Sequence, residues 1–168
     1  MQLSAQIRDC ESGQDVEAIR QILNHEITYS TSIYEDQTRS QEQTETWFAA
    51  KRAGRWPLRG AYCERGQLLG FATFAPFRPQ AAYRFTVEHS VYVAPQARGQ
   101  GVGQLLLCDL IEQANARRYR VLVGCIDATN LASLALHQKL GFTHCGTVKQ
   151  AGYKFDRWLD VTFMQKLL

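Results

Sequence analysis

The chain has 168 residues, 45% of them apolar, and a formal net charge of +3. That length builds a sizeable core as one domain over residues 1–168. Interspersed charge offers no footprint for nucleic acid, and no apolar run approaches the ~20 residues of a membrane span. The five cysteines (Cys10, Cys63, Cys108, Cys125 and Cys145) are scattered without C-x-x-C spacing. This points to reduced thiols in a cytoplasmic protein and against a zinc site. Met1 to Gln6 has no signal-peptide pattern.

In chain order, Gln6 to Arg8 read as a short strand. Val16, Ile19, Ile22, Leu23 and Ile27 mark an amphipathic helix over residues 15–28. A second helix spans residues 42–53 around Trp47 and Phe48. Residues 60–64 and 67–77 form a hairpin turning at Gly66. Val87 to Val93 is the central strand, followed by a long helix from Gly103 to Arg117 and a strand from Arg120 to Asp127. Asn130 to Leu140 make another helix, with Gly141 placed for a left-handed cap. Alternating apolar residues predict strands over 143–149 and 159–166. Strand–helix crossovers of this kind imply an α/β (α+β) fold, a mixed sheet with helices on both faces.

The most informative segment runs from Val91 to Val102 and on into the long helix. A β-branched strand stops at Pro95, passes through Arg98-Gly99-Gln100-Gly101-Val102-Gly103 and enters a helix. Such an arrangement aims main-chain N–H groups and the positive end of a helix dipole at one spot, suited to phosphate. Arg98 adds positive charge beside it. No Lys-Ser or Lys-Thr follows the glycines, which excludes a Walker A loop. The alternating glycines do not match the Gly-x-Gly-x-x-Gly of dinucleotide folds.

The pattern Arg98-x-x-Gly101-x-Gly103 after Val91-Tyr92-Val93, together with Asn130-Leu131-Ala132-Ser133 opening the later helix, resembles the coenzyme A-binding elements of the GNAT acyltransferase superfamily. The resemblance implies the GNAT fold, with its central sheet splayed at the coenzyme-binding strand and acetyl-CoA as co-substrate. Val91, Tyr92, Val93, Arg98, Gly99, Gln100, Gly101, Val102, Gly103, Gln104, Asn130 and Ser133 are the implied cofactor contacts. The N–H of Val93 is the implied oxyanion donor. No metal is implied. Pro95, unable to donate to a ladder, is expected to end strand pairing where the sheet splays.

Two further residues narrow the resemblance. Glu88, in Thr86-Val87-Glu88-His89-Ser90, suits a general base that strips a proton from an ammonium group. His137 stands where most GNAT enzymes carry a tyrosine. Glutamate and histidine at these positions, with Tyr29-Ser30-Thr31, Ala81-Ala82-Tyr83-Arg84 and the tail Gly152 to Asp160, resemble bacterial phosphinothricin and methionine sulfoximine N-acetyltransferases. That family implies a small amino-acid substrate, acetyl transfer to its α-amine, and a homodimer. Either Glu88 or His137 can be the proton acceptor on this reading. A carboxylate clamp is expected from Arg78, held between Pro76 and Pro79. Pro79, Gln80, Glu88, His89 and Ser90 complete the candidate substrate contacts, with Arg84, Lys149 and Lys154 as weaker ones and Trp56 and Phe77 as apolar wall. The alternative is a GNAT enzyme for a protein N-terminal or lysine amine. A non-catalytic acyl-CoA sensor would need neither Glu88 nor His137.

Overall fold

A computed structural model describes residues 5–168; Met1 to Ser4, most of the stretch read as lacking a signal peptide, lie outside them. The chain order is β1 (Gln6–Asp9), α1 (Val16–Tyr29), α2 (Gln41–Ala53), β2 (Leu58–Tyr62), β3 (Leu68–Pro76), β4 (Thr86–Val93), α3 (Val102–Ala116), β5 (Val121–Asp127), α4 (Leu131–Lys139), β6 (Thr143–Lys154) and β7 (Arg157–Leu167). The strands form one sheet in the order β1-β2-β3-β4-β5-β7-β6. Among the described residues only β4 and β5 pair in parallel, because the helix α3 carries the chain back between them. No helix among the described residues is long and apolar enough to cross a membrane.

Helices cover both faces. On β3, the Phe71 ring meets Trp47 of α2 with centroids 6.1 Å apart, while the adjacent Gly70 is backed by Leu106 of α3. Successive strand residues point to opposite faces, so α2 and α3 lie on opposite sides. Ile19, Leu23 and Ile27 of α1, Phe48 of α2, Phe71 and Phe74 of β3, and Leu106, Leu107 and Leu110 of α3 are all buried to 2% exposure or less. Each such side chain contributes about 1.5–3 kcal/mol of burial.

Helix α2 has little apolar surface and depends on its start. Ser40 Oγ accepts from the Gln43 main-chain N–H at 3.2 Å, and Gln43 Oε1 accepts from the Ser40 N–H at 2.8 Å, a reciprocal capping box. Ser40→Ala is expected to cost about 1 kcal/mol, read as a lower urea midpoint with an unchanged slope.

Element types agree with the sequence reading, but the last two strands are longer. β6 runs to Lys154 and β7 begins at Arg157. Register shifts between His144 and Gly146 and between Val148 and Gly152 break the alternation that would have shown the full length. The tip is Phe155-Asp156, both with positive φ (52° and 55°). That suits a two-residue hairpin turn, yet neither residue is glycine or asparagine, so the turn left no sequence signal.

The splay is present but not where Pro95 predicts. The β4–β5 ladder runs from Thr86↔Val121 to His89↔Gly124 and stops, although β4 continues to Val93 and β5 to Asp127. On its other edge β4 stays paired with β3 as far as Gly70↔Val93. Pro95 opens a short 3-10 turn over Pro95–Ala97 instead. The gap therefore opens immediately beyond His89 and Gly124.

Candidate active site

The gap opens into a cavity of about 420 Å³, lined by β4 from His89 to Val93, β5 from Gly124 to Asp127, Asn130, Ser133 and His137 around α4, and Glu26 and Ser30 around the end of α1. The Ala94 N–H donates to Leu69 O at 2.8 Å. By antiparallel alternation Tyr92 is the next residue turned toward β3, and the N–H and C=O groups of Val91 and Val93 face the gap. Arg98 Nε donates to Val93 O at 3.3 Å, from that side. Val91 and the Val93 N–H thus form an open main-chain edge, while Tyr92 between them is turned to β3.

At the mouth, Gly99 and Gly101 have φ of +73° and +84°, and a Cβ on either would touch nothing within 4 Å. Glycine is required there by the dihedral rather than by space. Gly101 is the N-cap of α3 and no side chain caps it. The first intrahelical bond is Leu105 N–H to Gly101 O. The N–H groups of Val102, Gly103 and Gln104 precede it and are available to an anion. Gln100 Nε2 donates to Gln96 O at 2.8 Å, and Gln104 Oε1 accepts from Lys139 Nζ at 2.8 Å, tying α3 to α4. Asn130 Oδ1 accepts from the Ser133 N–H at 3.1 Å and closes the start of α4.

Arg98 is not the free cation that the sequence suggests. Its guanidinium is paired with Glu26, a carboxylate of α1 only 5% exposed, whose other oxygen accepts from Ser30 Oγ at 2.6 Å. A buried carboxylate needs such partners. Glu26 was not singled out in the sequence, although it falls on the same helical stripe as Ile22, Leu23 and Ile27. Cys125 and Asp127 were also missed as cavity residues. Asp127 Oδ1 accepts from the Thr129 N–H at 2.7 Å and from its hydroxyl at 2.5 Å, shaping the turn into α4.

Glu88 and His137 are not neighbours. His89 and Glu88 are consecutive on β4 and point to opposite faces. His89 meets His137, Nε2 to Nε2 at 2.8 Å, with rings 5.0 Å apart and 24° from parallel. Gly124 makes room for both rings: a Cβ there would lie 3.0 Å from His89 Cε1 and 3.3 Å from His137 Nε2. Burial, and then the His137 ring, push the His89 imidazole down to about 3. Burial likewise lowers His137. His89 is thus a buried partner of His137 rather than an open substrate contact.

Glu88 lies on the opposite face, outside the cavity lining proper. Burial raises its carboxyl above the usual range, against the opposing charge of Arg78. Cys125, on the cavity wall, is pushed up to about 11 by burial, with Glu88 adding to the shift. Arg78 itself lies over the Phe77 ring at 4.4 Å and donates to Phe77 O at 3.0 Å, in an exposed bend with Pro79 and Gln80. Ser90, two residues along β4 from Glu88, lines the cavity and lies opposite Thr73 of β3.

The weaker candidates are engaged elsewhere. Lys154 Nζ donates to Ser30 O at 2.8 Å and Ile33 O at 2.7 Å, pinning the loop after α1. Lys149 pairs with Asp160 at 3.0 Å and Arg84 donates to Ala81 O at 3.2 Å. Trp56 packs on Phe74 and Tyr119, and Phe77 on Tyr83.

A mixed sheet split between two parallel strands, with a glycine turn and a bare helix N-terminus at the mouth of the split, defines an acyl-CoA-dependent transferase scaffold. The chain belongs to the GNAT acetyltransferase family, whose profile, the acetyltransferase (GNAT) family, matches residues 16–142. It is 40% identical over 163 residues to an L-methionine sulfoximine/L-methionine sulfone acetyltransferase of Pseudomonas paraeruginosa, covering 97% of this chain and 94% of that one. The crystal structure of a phosphinothricin acetyltransferase from Sinorhizobium meliloti in complex with acetyl-CoA superposes with a TM-score of 0.95 at 35% identity, covering 99% of this chain and 89% of that one. That of a ribosomal-protein-alanine N-acetyltransferase from Brucella melitensis gives 0.94 at 42% identity, covering 97% and 99%.

Proposed function

We propose that this protein is a cytoplasmic, single-domain N-acetyltransferase that moves acetyl from acetyl-CoA to the α-amine of a small amino acid of the methionine sulfoximine, methionine sulfone or phosphinothricin type. The observation that carries the reading is the open main-chain edge of Val91 and Val93, continuous with the glycine turn before α3. That edge and turn fit a long amide-bearing arm ending in a pyrophosphate. Val91 and Val93 would pair with the arm, and the Gly99 to Gln104 amides would hold the phosphates. Asn130 and Ser133 would flank the arm from α4. Bound acetyl-CoA supplies an electrophilic thioester carbonyl. The Val93 N–H, turned toward the gap, is the donor placed for the oxygen of that carbonyl as it gains charge.

Glu88 takes the proton from the substrate ammonium, directly or through water. Its raised carboxyl suits a base that must also release that proton. Arg78, whose charge opposes the shift of Glu88, would clamp the substrate carboxylate. Pro79 and Gln80 shape its loop. The segment after α1, held down by Lys154, walls the cavity through Ser30 and Ser32 and favours a small substrate over a protein tail. The exposed Tyr153, Phe155 and Trp158 of the β6–β7 hairpin supply an apolar surface for a homodimer. Detoxification of glutamine-synthetase inhibitors is the physiological role this chemistry suits.

The test is thiol release from acetyl-CoA with methionine sulfoximine, methionine sulfone, phosphinothricin and a peptide beginning with alanine. Turnover on the small amino acids supports the reading. Release with the peptide alone moves the protein to the protein-modifying branch. Gly101→Ala probes the phosphate turn: at φ +84° a Cβ costs about 1–2 kcal/mol. The KM for acetyl-CoA is expected to rise while the KM for the amine stays within error.

A further inference from the structure

Two buried histidines sit with their ring nitrogens in contact where the β4–β5 ladder ends, and their protons can be counted. His137 Nδ1 lies 2.7 Å from the Ser133 carbonyl oxygen. A carbonyl only accepts, so that nitrogen carries a hydrogen. His137 Nε2 lies 2.8 Å from His89 Nε2. A contact this short holds one proton, since two lone pairs would repel and two N–H groups would collide.

That proton belongs to one ring or the other. On His137 it would make an imidazolium, and no acidic side chain bonds to either ring to support a cation. On β4, Glu88 points to the opposite face, and on β5 Gly124 has no side chain and Val123 offers its main chain alone. From α4 the nearest polar group is Ser133, whose hydroxyl is 3.4 Å from His137 Nδ1. Phe142 covers both rings, with centroids 5.4 Å from His89 and 4.9 Å from His137. Asp127 shares the cavity but turns one oxygen to Thr129, and its other oxygen bonds to neither ring. The proton therefore resides on His89 Nε2 and both rings are neutral. His89 Nδ1 is then a bare acceptor, and it is the ring nitrogen without a hydrogen-bond partner.

We propose that His89 and His137 form a neutral, proton-locked pair that clamps α4 onto the last rung of the β4–β5 ladder and so positions Val91 and Val93 without exchanging a proton during turnover. The proposal rests on the acetyltransferase reading of the cleft, and it makes His137 a positioning residue rather than the acid or base. The ladder ends at the pair His89↔Gly124, and the stacked rings lie over the face of that last rung in the space that Gly124 leaves. His137, locked to the Ser133 carbonyl, ties that rung to α4.

The test is long-range ¹H–¹⁵N correlation on the full chain with labelled histidine, recorded between about pH 5 and 8. His137 is expected as the Nδ1–H tautomer and His89 as the Nε2–H tautomer, with neither ring moving across the range. His89→Leu removes the donor, so His137 gains a titration in that window and the KM for acetyl-CoA rises by about tenfold. His89→Gln, which keeps an N–H at similar reach, restores most of that loss. An imidazolium signature for His137 in the wild type overturns the proposal, as does a limb in kcat/KM against pH that His137→Asn abolishes. The wild-type spectra decide the tautomers whether or not the variants fold. Failure of every amine to react would remove the acetyltransferase reading and leave those spectra to be judged separately.

Discussion

Glu88→Gln is expected to lower kcat/KM on methionine sulfone by about 10²–10⁴-fold, the range for a positioned general base, while acetyl-CoA still binds. The variant keeps the shape and loses the basic oxygen. The wild-type pH profile carries the same information. Burial raises the Glu88 carboxyl, so the base becomes protonated, and kcat/KM falls, as pH drops through a value above the ordinary carboxylate range. That limb is absent in Glu88→Gln. Arg78→Ala removes the charge that opposes the shift, so the limb moves to still higher pH. Stability runs the other way. A carboxyl whose folded pKa is raised binds more protons folded than unfolded, so its contribution declines as pH rises through the window between the two values. Glu88→Gln is therefore at least as stable as the wild type at neutral pH by thermal melting. A neutral-pH activity that survives the substitution would pass the proton to another group.

Gly70→Val is expected to disable the enzyme from behind the reacting strand. A Cβ at Gly70 would stand 2.6 Å from Tyr92 O, 3.1 Å from Val93 Cα and 3.2 Å from Leu106 Cδ1. Two of those atoms are main chain of β4 and cannot swing aside. Overpacking of this kind costs about 1–3 kcal/mol, and each kcal/mol lowers the midpoint of a chain this size by about 2–4 °C. The activity loss is expected to exceed the stability loss, because relief means moving Val93. Misplacing a reacting group by about 1 Å can cost 10²-fold. Stopped-flow or steady-state assays below the melting range separate the two effects. A variant that melts early but turns over normally would show that Val93 does not need its present position.

Local patterns made part of this legible. The stretch from Val91 to Gly103 announces a strand, a turn and a helix start because each of those conformations restricts which residues can stand in it. Gly101 and Gly141 both have a φ of +84°, a backbone state that side chains resist. Asn130 similarly reads as a cap because its amide oxygen has one natural use at a helix start. Glu26 shows the limit. Its stripe position says that it is buried, but its partner Arg98 lies far along the chain, and only the packing of α1 against the β4–α3 turn joins them.

The sequence by itself determined the order and kind of the elements, the glycine turn, and the resemblance that pointed to an acetyl-CoA enzyme. These depend on backbone conformation and periodicity, which act over a few residues. Tertiary structure decided where the sheet opens, which face each candidate occupies, and which charges are already spent. Glu88 and His89 are neighbours in sequence and lie on opposite faces of β4. His89 and His137 are distant in sequence and meet nitrogen to nitrogen over Gly124. Period-two alternation separates the first pair, and the packing of α4 over a residue without a side chain joins the second.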